Sequence, residues 1–188
     1  MKKILVIDNY DSFTYNLVHL LLKYAEVKVV MNDEVDMEEV KRFDKILFSP
    51  GPGIPEEAGQ MIEVIKTFAG SKPMLGICLG HQAIGEVYGG KLKNLSKVYH
   101  GVSTPIKVMA RNNYLFKNIP ESFEAGRYHS WVVDEKSVPS EIEVTAVDAS
   151  GMIMALSHTK YDINGVQFHP ESIMTEHGDT LIGNWVNH

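Results

Sequence analysis

One cysteine, Cys78, stands alone among 188 residues, so no disulfide can form within the chain and a reducing cytoplasm is the expected compartment. Basic charge is not in excess either. The 18 Lys and Arg face 24 Asp and Glu, a net charge of −6, which argues against a nucleic-acid surface. No run approaches the ~18 consecutive apolar residues of a membrane span, and the apolar stretch Ile4-Leu5-Val6-Ile7 stops at Asp8, too short for a signal sequence. Eight histidines are present, but none stands in an HExxH or CxxC-type spacing with other ligands, so no metal or cofactor is expected to be held by this chain. Repeats, low-complexity tracts and linkers are also missing. What remains is an ordinary globular composition, 44% hydrophobic and 22% charged, expected to form a single domain over residues 1–188.

Hydrophobic patterning divides the chain in two. In the first half, apolar strand-like runs at residues 3–7, 27–31, 45–49 and 74–77 alternate with helical patterns. Phe13, Leu17, Leu20, Leu21 and Tyr24 predict one amphipathic helix, with Asp11 or Ser12 as its cap; Ala58, Met61, Ile62, Ile65 and Phe68 predict another ending near Gly70. A short helix is expected to begin at Asp36. Strand–helix alternation with short connections implies an α/β fold, a doubly wound, mostly parallel sheet flanked by helices. The second half carries successive strand-like runs at 102–109, 122–125, 131–133, 142–147, 152–156 and 165–168, an antiparallel or mixed extension of the sheet. A helix over about 178–185 closes the chain.

Cys78 sits in Gly76-Ile77-Cys78-Leu79-Gly80, between a short apolar strand and a helical pattern. Glycines on both sides permit a sharp bend and close packing, and unpaired N–H groups at a helix start favour a thiolate. A lone cysteine can equally be a small buried hydrophobe. Gly165-Val166-Gln167-Phe168-His169-Pro170-Glu171 tilts the choice. It reads as a strand delivering a histidine, with a carboxylate two residues on and on the same side, able to hold the imidazole ring. Thiol, base and orienting acid are then all available. The third piece is Ser49-Pro50-Gly51-Pro52-Gly53 after the strand 45–49: alternating Gly and Pro cannot continue a strand or start a helix, and can present backbone N–H groups to an oxyanion. Gly53 and Leu79 are the candidate donors. All these segments fall at the carboxyl ends of strands, where open α/β sheets bind ligands.

Taken together, SPGPG, GICLGHQ and GVQFHPES resemble the class I glutamine amidotransferases, in the family's order and across the whole sheet core. The resemblance implies a catalytic triad of Cys78, His169 and Glu171 that hydrolyses the side-chain amide of glutamine through a thioester. It implies oxyanion stabilisation by the N–H groups of Gly53 and Leu79. It also implies glutamine contacts at Gly51, Pro52, Gly53 and Gln82, and backbone contacts at Ser130 and Trp131, where many relatives carry leucine in place of the tryptophan.

The opening Asp8-Asn9-Tyr10-Asp11-Ser12-Phe13-Thr14-Tyr15-Asn16-Leu17 is similar to that of the small subunits serving chorismate-using synthases, those of anthranilate synthase and aminodeoxychorismate synthase. The segments Tyr99-His100-Gly101 and Arg127-Tyr128-His129-Ser130 share that likeness. It implies that ammonia passes to a synthase component I and that any Mg²⁺ belongs to that partner; the loop and helix start around Tyr10 and Asp11 are expected to help dock the partner or couple its state to the glutaminase site. Neither nucleic acid nor membrane is expected as a partner. Other readings stay open: a glutaminase subunit of GMP synthase, a cysteine hydrolase on the same elbow, or a silent scaffold that only binds a synthase.

Overall fold

Alternation within the strands decides the layering. The computed structural model describes residues 1–188, and in its first strand Ile4 and Val6 pack into one apolar cluster while Leu5 and Ile7 pack into another. A strand buried on both faces must divide its side chains this way. The first half of the chain runs β1 (Lys3–Asp8), α1 (Thr14–Leu21), β2 (Glu26–Met31), α2 (Met37–Val40), β3 (Lys45–Phe48), α3 (Met61–Phe68), β4 (Met74–Ile77) and α4 (Leu79–Val87). The second half runs β5 (Leu92–Asn94), β6 (Val102–Val108), β7 (Ser122–Arg127), β8 (Trp131–Val133), β9 (Ile142–Asp148), β10 (Ile153–His158), β11 (Ile163–Val166) and α5 (Gly178–Asn187).

Nine strands form one mixed sheet in the order β2-β1-β3-β4-β11-β10-β9-β6-β7. The first five are parallel and the rest antiparallel, so β11 is the seam, parallel to β4 and antiparallel to β10. Helices α1 and α5 cover one face through Leu17, Leu21, Ile182 and Trp185; α2, α3 and α4 cover the other through Val40, Met61, Ile65 and Ile84. The sheet curls. Past β11 the chain leaves β10 and reaches β7 instead: Gln167 N–H donates to Met154 O at 2.9 Å, then His169 N–H to Gly126 O at 3.0 Å.

The α/β architecture with an antiparallel extension is the one read from the sequence, and Asp36 caps α2 as expected, accepting from Glu38 N–H at 2.9 Å. Several details differ. Phe13 is not on the buried face of α1, which consists of Thr14, Leu17, Val18 and Leu21. Asp8 Oδ1 accepts from both Asp11 N–H (3.1 Å) and Thr14 Oγ1 (2.8 Å), which makes the turn before the helix and leaves Phe13 outside it, 45% exposed. Neither Asp11 nor Ser12 is the N-cap; Phe13 is, without a side-chain cap, while Asp11 accepts from Phe13 N–H. The second long helix starts at Met61 because Pro55–Glu57 first makes a single 3-10 turn. β8 is not in the main sheet but pairs with β5, a three-residue strand that patterning did not reveal. Finally, β11 ends at Val166, so His169 lies beyond the strand, where the change of partner bends the chain.

Candidate active site

Cys78 joins β4 to α4 with φ 52° and ψ −99°, a backbone that non-glycine residues rarely adopt. The strain is held from both sides. Cys78 N–H donates to Val166 O at 2.8 Å, tying the elbow to β11, and Gln82 N–H donates to Cys78 O at 3.0 Å as α4 begins. The flanking glycines let strand and helix close: a Cβ on Gly76 would lie 2.4 Å from the Gly80 carbonyl, and one on Gly80 would lie 2.7 Å from Phe48. Cys78 is therefore aimed by backbone geometry, not by neighbouring side chains.

The loop after β3 is fixed by Asn9. Its N–H donates to Ser49 Oγ and its Nδ2 to Ser49 O, both at 2.8 Å, while Asn32 Nδ2 donates to Asn9 Oδ1 at 3.0 Å. Gly51 packs so closely on this clamp that a Cβ would sit 2.5 Å from Asn9 O. No protein acceptor takes the Gly53 N–H, and the Leu79 N–H, at the first position of α4, has no partner within the helix.

His169 and Glu171 form a buried pair, Nδ1 to Oε1 at 2.6 Å. Nδ1 carries the proton and donates, since Glu171 offers only acceptors. Nε2 is buried with no hydrogen-bond partner in the protein. Burial alone would disfavour the charged ring, but the neighbouring Cys78 and the Glu171 carboxylate outweigh it and push the pKa of His169 up to about 10. At neutral pH the ring is an imidazolium beside the Cys78 sulfur.

A cavity of about 200 Å³ opens above the elbow. Its wall contains Gly51, Pro52, Gly53, Cys78, Gln82, Ser130 and Trp131, every substrate-contact residue read from the sequence. The far wall rests on charge. Arg127, 1% exposed, pairs with Asp148 at 2.8 Å, stacks 3.6 Å from the Tyr99 ring centre and donates through Nε to His129 Nε2 at 3.1 Å. With Nε2 accepting, His129 carries its proton on Nδ1 and donates to Trp131 O at 3.1 Å. Burial and then the Arg127 charge push the pKa of His129 down to about 3, so the ring stays neutral. Asp148 also accepts from Ser150 and Met152 N–H groups, and these bonds with Arg127 hold its carboxyl below the usual range despite burial.

Sequence reasoning assigned no role to Asn9, Arg127, His129 or Gln167. Asn9, Arg127 and His129 stand in segments quoted for their likeness to the chorismate-using small subunits, and Gln167 precedes His169 by the same two-residue step that places Glu171 after it. No group of three His, Cys, Asp or Glu side chains is placed to hold a metal ion, and no helix is long and apolar enough to cross a membrane.

Anthranilate synthase component 2 of Lactococcus lactis is 48% identical over 186 residues, covering 98% of this chain and 93% of that protein. Aminodeoxychorismate synthase component 2 of Klebsiella aerogenes is 43% identical, covering 98% and 99% respectively. The bifunctional protein TrpGD of Thermotoga maritima is 43% identical over the whole chain, which spans only 32% of it. Among solved structures, a protein described as a GMP synthase subunit from Thermoplasma acidophilum superposes with a TM-score of 0.89 at 25% identity, covering 100% of this chain and 93% of that one. The model of the glutamine amidotransferase class-I family matches residues 5–188, and the chain belongs to that family.

Proposed function

We propose that this chain is the glutaminase subunit of a chorismate-using synthase, releasing ammonia from glutamine for a component I partner that makes anthranilate. The observation that carries the chemistry is the meeting of Cys78, the Gly51–Gly53 loop and Gln82 in one cavity, with the His169–Glu171 pair beside the thiol. The Cys78 thiolate attacks the carboxamide carbon, and the Gly53 and Leu79 N–H groups stabilise the resulting oxyanion. His169 gives its proton to the departing nitrogen, which leaves as ammonia, and a thioester remains. The now neutral ring takes a proton from water as the water oxygen attacks the thioester carbon. Glutamate is released, and the thiolate and imidazolium return. Glu171 orients the ring throughout.

The identities of the relatives support the chorismate branch, whose named members stand at 43–48%. Both anthranilate and aminodeoxychorismate synthesis are compatible with them, and one chain can serve both. The opening segment divides into two kinds of residue. Asp8, Asn9, Thr14 and Leu17 are buried and structural, whereas Tyr10, Phe13 and Tyr15 are 59%, 45% and 62% exposed. Phe13 and the fully exposed Ile173 border a cavity whose inner wall includes His169 and Glu171. We assign this face to the component I partner, with its Mg²⁺ and chorismate chemistry on the partner's side.

Mixing the chain with each candidate component I, glutamine and chorismate, then identifying the aromatic product, tests the pathway. Anthranilate is expected. Aminodeoxychorismate alone would move the assignment to folate synthesis, and product only with a GMP synthase partner would favour the second reading that the Thermoplasma structure supports. Glutaminase activity that survives Cys78→Ala would sink the thiol mechanism. Replacing Tyr10 and Asp11 by alanine should weaken complex formation or activation; unchanged coupling removes the docking assignment.

A further inference from the structure

Gln167 is wholly buried, and its side-chain amide lies between two others. Gln82 Nε2 is 2.8 Å from Trp131 O and 3.2 Å from Gln167 Oε1, and Gln167 Nε2 is 3.4 Å from Cys78 Sγ. The direction of this relay is set by its far end. The Trp131 carbonyl can only accept, so the Gln82 atom facing it must be the NH₂ group. That same NH₂ faces the Gln167 amide, which must therefore turn its oxygen toward Gln82 and its own NH₂ toward the sulfur. The reverse orientation would set two NH₂ groups against each other and a carbonyl oxygen against a thiolate.

We propose that Gln167 is a further catalytic residue, a neutral donor that hydrogen-bonds the Cys78 thiolate and is held in that orientation by Gln82 and the Trp131 carbonyl. The proposal rests on Cys78 being the nucleophile. It fills a gap in the two-step chemistry. His169 stabilises the thiolate only while protonated, and it loses that proton when ammonia leaves. The Gln167 N–H does not titrate, so it holds the sulfur throughout both steps, including the interval after ammonia leaves when the ring is neutral, and acts beside the imidazolium that re-forms as water attacks. Gln82 lines the cavity and Gln167 does not, so the donor is screened from water while its orientation is tied to the substrate wall.

The test is the rate of Cys78 alkylation by iodoacetamide across pH, measured on the full chain, which needs neither partner nor turnover. The titratable groups around the thiol are His169 with Glu171 behind it, His81 on α4, and Tyr99, His100, Tyr128 and His129 around the cavity; none is replaced. Gln167→Met removes the donor at similar length, and alkylation at neutral pH should slow about tenfold, the profile moving to higher pH. Gln167→Glu keeps the shape but sets a carboxylate against the sulfur, and should slow it further. Glutaminase kcat/KM should fall by about tenfold to a hundredfold, mostly in kcat. Wild-type alkylation profiles in both variants overturn the proposal, as does a Gln167→Glu variant milder than Gln167→Met, the order expected from packing alone. If methionine is not tolerated in the core, Gln167→Glu and Gln82→Leu carry the test, the latter expected to give a smaller slowing because the donor stays but loses its orientation. Loss of activity in Cys78→Ala with a wild-type profile in Gln167→Glu would overturn only the Gln167 assignment and leave the thiol mechanism standing.

Discussion

On one wall of the pocket, the Cys78 elbow and the Gly51–Gly53 loop take their shape from close backbone approach, with Gly76 and Gly80 admitting contacts that no Cβ would allow. On the other, the segment from Arg127 to Trp131 is held by a buried ion pair, a stacked ring and a tautomer fixed by a guanidinium. The Cys78 wall is built from parallel strands and a strand-to-helix turn, whereas the wall proposed to hold the substrate follows β7, the edge strand of the antiparallel extension. The first is positioned by shape and the second by charge. His169 and Glu171 stand between them, on the seam after β11, and take their backbone anchor from Gly126 of β7. Each wall should therefore fail in its own way.

The largest expected effect lies at the seam. Glu171→Gln removes the carboxylate that orients His169 and helps to raise its pKa, and kcat for glutaminase should fall by about 10²–10⁴-fold with little change in KM. The activity it retains should decline at lower pH than in the wild type, because the imidazolium deprotonates sooner. A wild-type kcat in this variant would break the assignment of His169 as the proton carrier.

On the charge-built wall, Arg127→Met leaves Asp148 buried with its hydrogen bonds from Ser150 and Met152 but without a counter-charge. Urea denaturation should show a loss of about 3 kcal/mol, and the KM for glutamine should rise as His129 and the Trp131 carbonyl lose their orientation. Adding Asp148→Asn removes the stranded charge while keeping an acceptor for Ser150 and Met152. Stability should largely return in the double variant while KM stays high, which separates support of the fold from support of the substrate. Recovery of both together would mean that the wall responds only to stability. On the shape-built wall, Gly76→Ala should cost about 1–3 kcal/mol through overpacking. It should lower kcat rather than raise KM, because it moves the nucleophile and not the substrate wall. A rise in KM alone would erase the distinction between the two walls.

The same contrast explains what could be read from the sequence. Backbone constraints leave local signatures: glycines around Cys78, Gly and Pro after β3, and a histidine and glutamate two residues apart all mark their geometry within a few positions. Those features predicted the elbow, the loop and the His169–Glu171 pair. The charge network is only partly local. Arg127 reaches His129 two residues on, but it meets Asp148 only because β7, β6 and β9 lie in that order, and Tyr99 only from the loop before β6; nothing near Arg127 in the chain announces those two pairings. Phe13 was misplaced for a related reason, since a helical pattern cannot reveal that Asp8 turns the chain before the helix begins.

Acid should reveal the charge-built wall more gently than any of these substitutions. His129 is held neutral with its pKa pushed down to about 3 by burial and Arg127, and His81, fully buried on α4, is pushed down to about 4 by burial. Both bind a proton more readily when unfolded, where the ordinary value of ~6.5 applies, so the unfolded state gains protons first as the pH falls. Their contribution to stability is complete above pH ~6.5 and is lost from there down through the folded values. Each histidine costs at most ~1.4 kcal/mol per pH unit within that window. His169 has the opposite sign: its contribution is complete below ~6.5 and disappears as pH rises through about 10. Urea midpoints between pH 6.5 and 5 should therefore decline in the wild type, and His129→Gln should remove close to half of the part of that slope that His129 and His81 supply. An unchanged slope in His129→Gln would mean that His129 is not held neutral, and that the Arg127 guanidinium does not fix the substrate wall through it.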